Sequence, residues 1–118
     1  MRYSRQELIV GSKAQRRLEN STVSIVGLGA MGSVSADLLA RAGTGKLILI
    51  DRDLVEITNL QRQSLFTEEH LAKPKALVAK EILNKINSEV EIVSYFDDLN
   101  YKNINLIKSD LILDCTDN

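Results

Sequence analysis

The sequence predicts an α/β fold: a Rossmann-like, doubly wound and mainly parallel sheet with crossover helices, preceded by short N-terminal helices. Three observations support this fold class. Short apolar segments alternate with amphipathic helical segments along the chain. The first apolar strand leads directly into a glycine-rich turn that opens a helix, and the second strand ends at an acidic residue, Asp51. Parallel strands joined by helices are expected to form right-handed crossovers.

The predicted elements follow the order that such a sheet requires. Residues 4–18 are predicted as two short outer helices that are broken at Gly11. The remaining elements are predicted as strand 21–26, helix 30–42, strand 46–50, helix 76–86, strand 90–95, a short helix at 102–107 and strand 110–114. The polar stretch 51–63 is predicted to be a loop at the carboxyl edge of the sheet, where ligands bind in this fold.

Hydrophobic spacing assigns a packed face to each helix. The first crossover helix is expected to pack through apolar residues at helical spacing: Met31, Val34, Leu38, Leu39 and Ala42. The second is expected to begin after Pro74, since proline is favoured at helix starts. In the short helix at 102–107, Ile104 and Ile107 are expected to point inward.

Composition excludes several classes of protein. The chain has 118 residues, 44% of them hydrophobic, which is enough for one compact domain spanning residues 1–118. Its formal net charge of −1 gives no basic field for nucleic acid, and no apolar run is long enough to span a membrane. No signal peptide is evident, so a cytoplasmic location is expected. The single cysteine, Cys115, excludes a disulfide or a multi-cysteine zinc site within the chain.

The glycine-rich turn is predicted to bind phosphate. Gly27 and Gly29 permit unusual backbone angles and carry no side chain that would hold a phosphate away, while Gly32 lets the helix pack close to the strand. The free N–H groups in the first turn of the helix stabilise an anion. Glycines occur in many tight turns, but here Asp51 follows at the distance expected of an acid that binds ribose. The alternative is that Asp51 only caps the next turn.

Polar clusters elsewhere in the chain suit a triphosphate better than a dinucleotide. They are Arg2 to Gln6, Asn59 to Gln63, Lys73 to Lys75 and Asp114 to Asn118. Arginine binds phosphate oxygens in pairs, lysine adds a mobile charge, and Mg²⁺ needs one or two carboxylates beside the phosphates.

Taken in order from Arg2 to Asn118, these clusters resemble the ThiF/MoeB/HesA family, the bacterial and archaeal relatives of ubiquitin-activating enzymes. The resemblance implies ATP-dependent adenylation of the C-terminal glycine carboxylate of a small ubiquitin-like sulfur carrier of the ThiS or MoaD type. MgATP is consumed and pyrophosphate released, in thiamine or molybdopterin biosynthesis. A homodimer is also implied, with no nucleic-acid or membrane partner.

The resemblance also implies a role for individual residues. Arg5 is expected to reach the ATP of the neighbouring subunit, Asp51 to hold the ribose, and Asp117 to bind the magnesium. Arg62 and Lys75 are expected to contact the phosphates, with Asn59 and Gln63 as supporting polar contacts in the same loop as Arg62.

The chain departs from the family pattern in sequence and in length. Ala30 and Ala72 stand where the family usually has glycine. Family members are also longer, so the chain is expected to be an N-terminal, ATP-binding part that is inactive or nearly so by itself. The surface for the carrier, and any zinc site, are expected in the remainder.

Two other interpretations remain open at this stage. The glycine turn and Asp51 would also serve an NAD-dependent oxidoreductase, which would prefer NAD to MgATP. A non-catalytic scaffold could retain the fold without forming an adenylate.

Overall fold

A computed structural model describes residues 1–116, and in that part of the chain the sheet has four parallel strands in the order β3-β2-β1-β4. The helices are α1 (Ser4–Val10), α2 (Ser12–Glu19), α3 (Ala30–Ala42) and α4 (Lys75–Ile86). The strands are β1 (Thr22–Val26), β2 (Lys46–Asp51), β3 (Glu91–Phe96) and β4 (Leu111–Asp114). Short 3₁₀ turns lie at Ile57–Asn59, Glu68–His70 and Ile104–Ile107. The predicted α/β fold class is confirmed.

The order in which the strands are added to the sheet reverses at β1. From β1 the chain moves through β2 to β3 on one side, and then returns to place β4 on the other side of β1. Val26 is in register with Ile50 of β2 and with Asp114 of β4, so the carboxyl ends of these three strands lie together. In open α/β sheets a crevice forms where the strand order reverses, and ligands bind there.

The two faces of the sheet are covered unequally. A large cluster joins apolar residues of β1, β2 and β3 to α3 and α4, including the fully buried Ile25, Leu47 and Leu83. A small cluster on the opposite face is closed by Ile107, from the third 3₁₀ turn. Ser24 lies in the middle of β1 and donates a hydrogen bond to the carbonyl of Ile107 at 2.9 Å. Among residues 1–116, no helix has the length and apolar character that crossing a membrane requires.

The predicted packed face of α3 is wrong for three of its five residues, although Leu39 does pack against the large cluster. Met31, Val34 and Leu38 are exposed, with 74% of Met31 accessible to solvent. The buried face consists instead of small residues: Gly32, Ser33, Ala36 and Ala40. Small side chains occupy the buried face because α3 begins directly after the glycine turn and lies too close to the sheet for larger ones. The expected burial of Ile104 is also wrong, since the helix at 102–107 is only a 3₁₀ turn and 48% of Ile104 is exposed.

Ala72 is the one non-glycine residue with a positive φ (67°) among the described residues. A side chain is disfavoured there by about 1 to 2 kcal/mol, whereas glycine adopts this conformation freely. Ala72→Gly is therefore expected to raise the free energy of unfolding by about 0.5 to 1 kcal/mol, after the greater entropy of glycine in the unfolded chain is subtracted. Urea denaturation measures this. The matched control, Ala14→Gly on the exposed face of α2, should lower stability by a similar amount, and a destabilised Ala72→Gly would contradict the account.

Candidate functional site

A cavity of about 660 Å³ lies at the carboxyl ends of β1, β2 and β4. Its size falls in the range of small-molecule sites. Seven of the residues predicted to form the site line it: Gly27, Gly29, Asp51, Asn59, Arg62, Gln63 and Lys75. The polar stretch after β2 and the start of α4 thus meet the glycine turn, as the sequence predicts.

The glycine turn is held by close backbone contacts. Gly27 has φ 95°, and a Cβ on it would lie 2.9 Å from the carbonyl oxygen of Cys115, which follows β4. A Cβ on Gly32 would overlap the carbonyl oxygen of Gly27, so Gly32 allows α3 to pack against the turn and does not line the cavity. Gly29 precedes the first residue of α3 and lines the cavity, which brings the free N–H groups at the start of α3 to the cavity wall.

The Asp51 carboxylate stabilises the glycine turn through a hydrogen bond. Its side chain is 8% exposed, and its Oδ2 accepts a hydrogen bond from the Leu28 N–H at 2.7 Å. Its Oδ1 accepts one from the Asp53 N–H, also at 2.7 Å. A carboxylate oxygen can accept more than one hydrogen bond, so Asp51 can still receive a ligand hydroxyl. Asp51 therefore caps the next turn, which was the alternative drawn from the sequence, and its bond to Leu28 adds a contact to the glycine turn that the sequence did not suggest.

Asp51→Asn is expected to lower the free energy of unfolding by about 1 to 3 kcal/mol, because one oxygen becomes an NH₂ group facing a backbone donor. Thermal or urea unfolding of the two proteins measures the change. Asp53→Asn is the control, since Asp53 is exposed and its side chain accepts no described hydrogen bond. Equal stability of Asp51→Asn and wild type would contradict the role of Asp51 in stabilising the turn.

Lys75 is a buried cation that forms no ion pair with another residue of 1–116. It begins α4, is 5% exposed and lines the cavity, and its backbone N–H donates to the Asp53 carbonyl at 3.0 Å. None of the ion pairs in residues 1–116 includes it. A buried charge is costly unless it is paired, so this position favours an anionic ligand. Arg62 lies on the exposed part of the same wall, with its Nη1 donating to the Thr58 carbonyl at 3.0 Å.

Asn59 and Gln63 are buried on the same side of the cavity. Asn59 Oδ1 accepts a hydrogen bond from the Glu56 N–H at 2.9 Å and so stabilises the first 3₁₀ turn. Gln63 is 2% exposed, and its Oε1 has no hydrogen-bond partner among the described residues. A buried acceptor without a partner is costly, and a donor on a ligand or a bound water would satisfy it.

Besides Gly32, one predicted site residue among residues 1–116 does not line the cavity, and another cannot be placed. Arg5 is exposed on α1 and does not line it. The contacts that hold α1 lie at the C-terminal ends of α3 and α4, on the amino side of β2 and β3, whereas the glycine turn is on the carboxyl side. Asp117, expected to bind magnesium, lies outside the described residues.

The structure adds three cavity residues that the sequence did not single out, and it places there Asp114, which the sequence indicated only as part of a polar cluster. Arg52, Asp97 and Asp98 line the wall next to β3, and the Arg52 Nη1 lies 3.4 Å from Asp98 Oδ2. Asp114 lines the opposite wall, and hydrogen bonds from the Thr116 hydroxyl and then the Thr116 backbone N–H lower the pKa of its carboxyl. The available signal was position, because Asp114 ends a parallel strand.

The described residues include carboxylates that could contact a metal ion and one thiol, Cys115. No group of three His, Cys, Asp or Glu side chains that could hold a metal is found among residues 1–116. A magnesium ion bound mainly by phosphates needs only one or two carboxylates, and the lining Asp53 and Asp114 fit that requirement. Burial raises the pKa of the Cys115 thiol, which favours a packing role over a nucleophilic one.

Comparison with known proteins identifies the family to which the chain is similar. Residues 3–118 match the model of the ThiF family. The chain is 44% identical over 123 residues to the sulfur carrier protein ThiS adenylyltransferase of Bacillus subtilis (strain 168), an alignment covering 99% of the chain and 37% of the relative.

Two solved structures from Escherichia coli are similar. The tRNA N6-threonylcarbamoyladenosine dehydratase TcdA in complex with ATP has a TM-score of 0.92 and 29% identity, covering 99% of the chain and 49% of TcdA. MccB with ATP has a TM-score of 0.87 and 36% identity, and the match covers 95% of the chain and 36% of MccB. The chain thus spans half or less of the length of these proteins. With the family model matched over nearly its whole length, the chain belongs to the ThiF family.

Proposed function

We propose that this chain is the nucleotide-binding part of an adenylyltransferase. The whole protein transfers AMP from ATP to the C-terminal glycine carboxylate of a small ubiquitin-like sulfur carrier of the ThiS or MoaD type, in thiamine or molybdopterin biosynthesis. The observation that carries the proposal is Lys75, a buried cation that forms no ion pair among the described residues and lines a cavity at the glycine turn.

The cavity offers three kinds of group that bind phosphate. They are the free N–H groups at the start of α3, the Lys75 ammonium and the Arg62 guanidinium. A dinucleotide needs little more than the first of these, because its pyrophosphate is not cleaved. A triphosphate that loses pyrophosphate develops negative charge on its leaving group, and positioned cations stabilise that charge. The cations therefore favour ATP over NAD, and two solved relatives carry ATP.

The proposed reaction needs alignment and charge neutralisation. A carboxylate oxygen of the carrier forms a bond to the α-phosphorus of ATP while the bond from that phosphorus to the bridging oxygen breaks and pyrophosphate leaves. The carboxylate is ionised at neutral pH, so no general base is required. Asp51 holds the ribose, the start of α3 holds the phosphates, and Arg62 and Lys75 neutralise the leaving group. When bound, Mg²⁺ would add further neutralisation, with Asp117 as the proposed ligand and Asp53 and Asp114 nearby.

We assign Arg5 to the cavity of a second subunit in a homodimer. Arg5 does not line the cavity of its own chain. Exposed apolar side chains on α1 and α3, such as Leu8, Ile9 and Leu38, give the chain a surface that a second copy can cover. We place the enzyme in the cytoplasm and the carrier-binding surface in a part of the protein outside this chain.

Pyrophosphate exchange by the full-length protein tests the proposal. With ATP, Mg²⁺ and the carrier, labelled pyrophosphate should enter ATP, and removal of the carrier's terminal glycine should abolish the exchange. ATP binding without exchange would favour the scaffold interpretation. Preference for NAD, independent of Mg²⁺, would favour an oxidoreductase.

A further inference from the structure

Helix α1 is attached to the rest of the chain almost entirely through polar contacts. None of its residues, Ser4–Val10, is buried. Leu8 and Ile9 are 85% and 89% exposed, so the helix gains little from hydrophobic burial. Elements with few buried apolar contacts open with a low free energy, and the attachment of α1 therefore depends on the groups that flank it.

One attachment is a buried pair formed by Tyr3 and Asn87, which we call the N-terminal latch. Tyr3 directly precedes α1 and is 9% exposed, and Asn87 directly follows α4 and is 1% exposed. The Asn87 side-chain NH₂ donates to the Tyr3 hydroxyl at 2.9 Å and to the Ala40 carbonyl at 2.8 Å. Asn87 Oδ1 accepts from the Glu89 N–H at 3.1 Å. The amide of Asn87 thus joins the start of α1 to α3 and α4.

Neighbouring contacts fix the Tyr3 ring and the first turn of α1. The ring lies against Gly43, where a Cβ would overlap it. Gln6 Nε2 donates to the Ala42 carbonyl at 2.6 Å. An ion pair at 2.6 Å between Arg2 and Glu89 covers the latch, but both side chains are about half exposed and such pairs contribute little.

We propose that Tyr3 and Asn87 are positioning residues for Arg5. Arg5 lies two residues after Tyr3 on a helix that has no buried side chain of its own. The latch therefore determines where α1 sits and in which direction Arg5 is presented. This inference rests on the proposed function of Arg5 in the cavity of a neighbouring subunit.

Tyr3→Phe tests the latch with the loss of a single hydroxyl. One Asn87 N–H is left without its partner, which is expected to speed hydrogen exchange of the α1 amides, from Glu7 to Gly11, by about 5- to 30-fold. Amides of β1 should keep their wild-type exchange rates. Tyr101→Phe is the matched control, since Tyr101 is fully exposed and its variant should exchange like wild type. The proposed role of the latch would be wrong if the α1 amides exchanged at wild-type rates, or if the β1 amides were accelerated equally.

Kinetics of the full-length enzyme test the link to Arg5. Tyr3→Phe should lower kcat at least about twofold with the KM for ATP unchanged, and should have no further effect when combined with Arg5→Ala. An unchanged kcat, or a loss that persists in the Arg5→Ala background, would overturn the positioning role. If Arg5→Ala alone leaves kcat unchanged, the proposed role of Arg5 fails and the positioning role with it. The exchange rates still report separately whether the latch holds α1.

Discussion

Lys75→Met is expected to abolish most nucleotide binding while leaving the fold at least as stable as wild type. Methionine keeps a long unbranched side chain at the start of α4 and removes the charge. Under the proposed function Lys75 neutralises the leaving pyrophosphate, so its loss should lower kcat in pyrophosphate exchange by about 10²- to 10³-fold, the usual effect of removing one such group. The affinity for ATP should fall at least about tenfold.

The stability of Lys75→Met distinguishes a binding residue from a structural one. Without ligand, Lys75 is a buried charge that no described carboxylate pairs. Its replacement by an apolar side chain should leave the free energy of unfolding unchanged or raise it. Lys80→Met, on the exposed side of α4, is the control. It should change neither the free energy of unfolding nor the affinity for ATP. A variant that unfolds more readily and binds ATP normally would show that Lys75 serves the fold alone.

Gly32→Ala is expected to produce the largest loss of stability among the glycine variants of the turn. The added Cβ would overlap the Gly27 carbonyl oxygen, and this oxygen belongs to a backbone that is itself fixed against Cys115. Alanine favours helix over glycine by about 1 kcal/mol, but the steric cost exceeds this gain. We expect the free energy of unfolding to fall by about 3 kcal/mol or more, or the chain not to fold.

Gly29→Ala is the matched control for this effect. Its Cβ would meet only the Gln63 side chain, at 3.8 Å, which is an ordinary contact. Urea denaturation of both variants should therefore show a large loss for Gly32→Ala and a small change for Gly29→Ala. A Gly32→Ala protein within about 1 kcal/mol of wild type would contradict the close packing of α3 on the turn.

The fold could be predicted from the sequence because its signals are local. Alternating apolar and amphipathic segments, the glycine turn and Asp51 each lie within a short stretch, and the observed element bounds differ little from the predicted ones. The hydrophobic spacing predicted the wrong buried residues in α3. Periodicity shows that residues share a helix face, but it does not show whether the large or the small side chains face the sheet. Only the distance between α3 and the sheet selects Gly32, Ala36 and Ala40 for the interior.

Contacts between distant parts of the chain could not be predicted from the sequence. The pairing of Arg52 with Asp98 and of Tyr3 with Asn87 depends on how separate loops and helix ends meet. The burial of Lys75 and Gln63 likewise follows from the packing of the loop after β2 against the glycine turn. Residue types and order indicated most members of the site and the packing role of Gly32, whereas the hydrogen bond from the Leu28 N–H to Asp51 required coordinates.

Backbone NMR of the 118-residue chain tests most directly whether the cavity at the glycine turn binds ATP. Titration with MgATP should shift the amide signals of Gly27, Gly29, Gln63 and Lys75, and NAD should cause smaller shifts at the same concentration. The signals of Tyr101 and of exposed residues in α2 should not move. Larger shifts with NAD, or shifts confined to residues away from the cavity, would contradict the account.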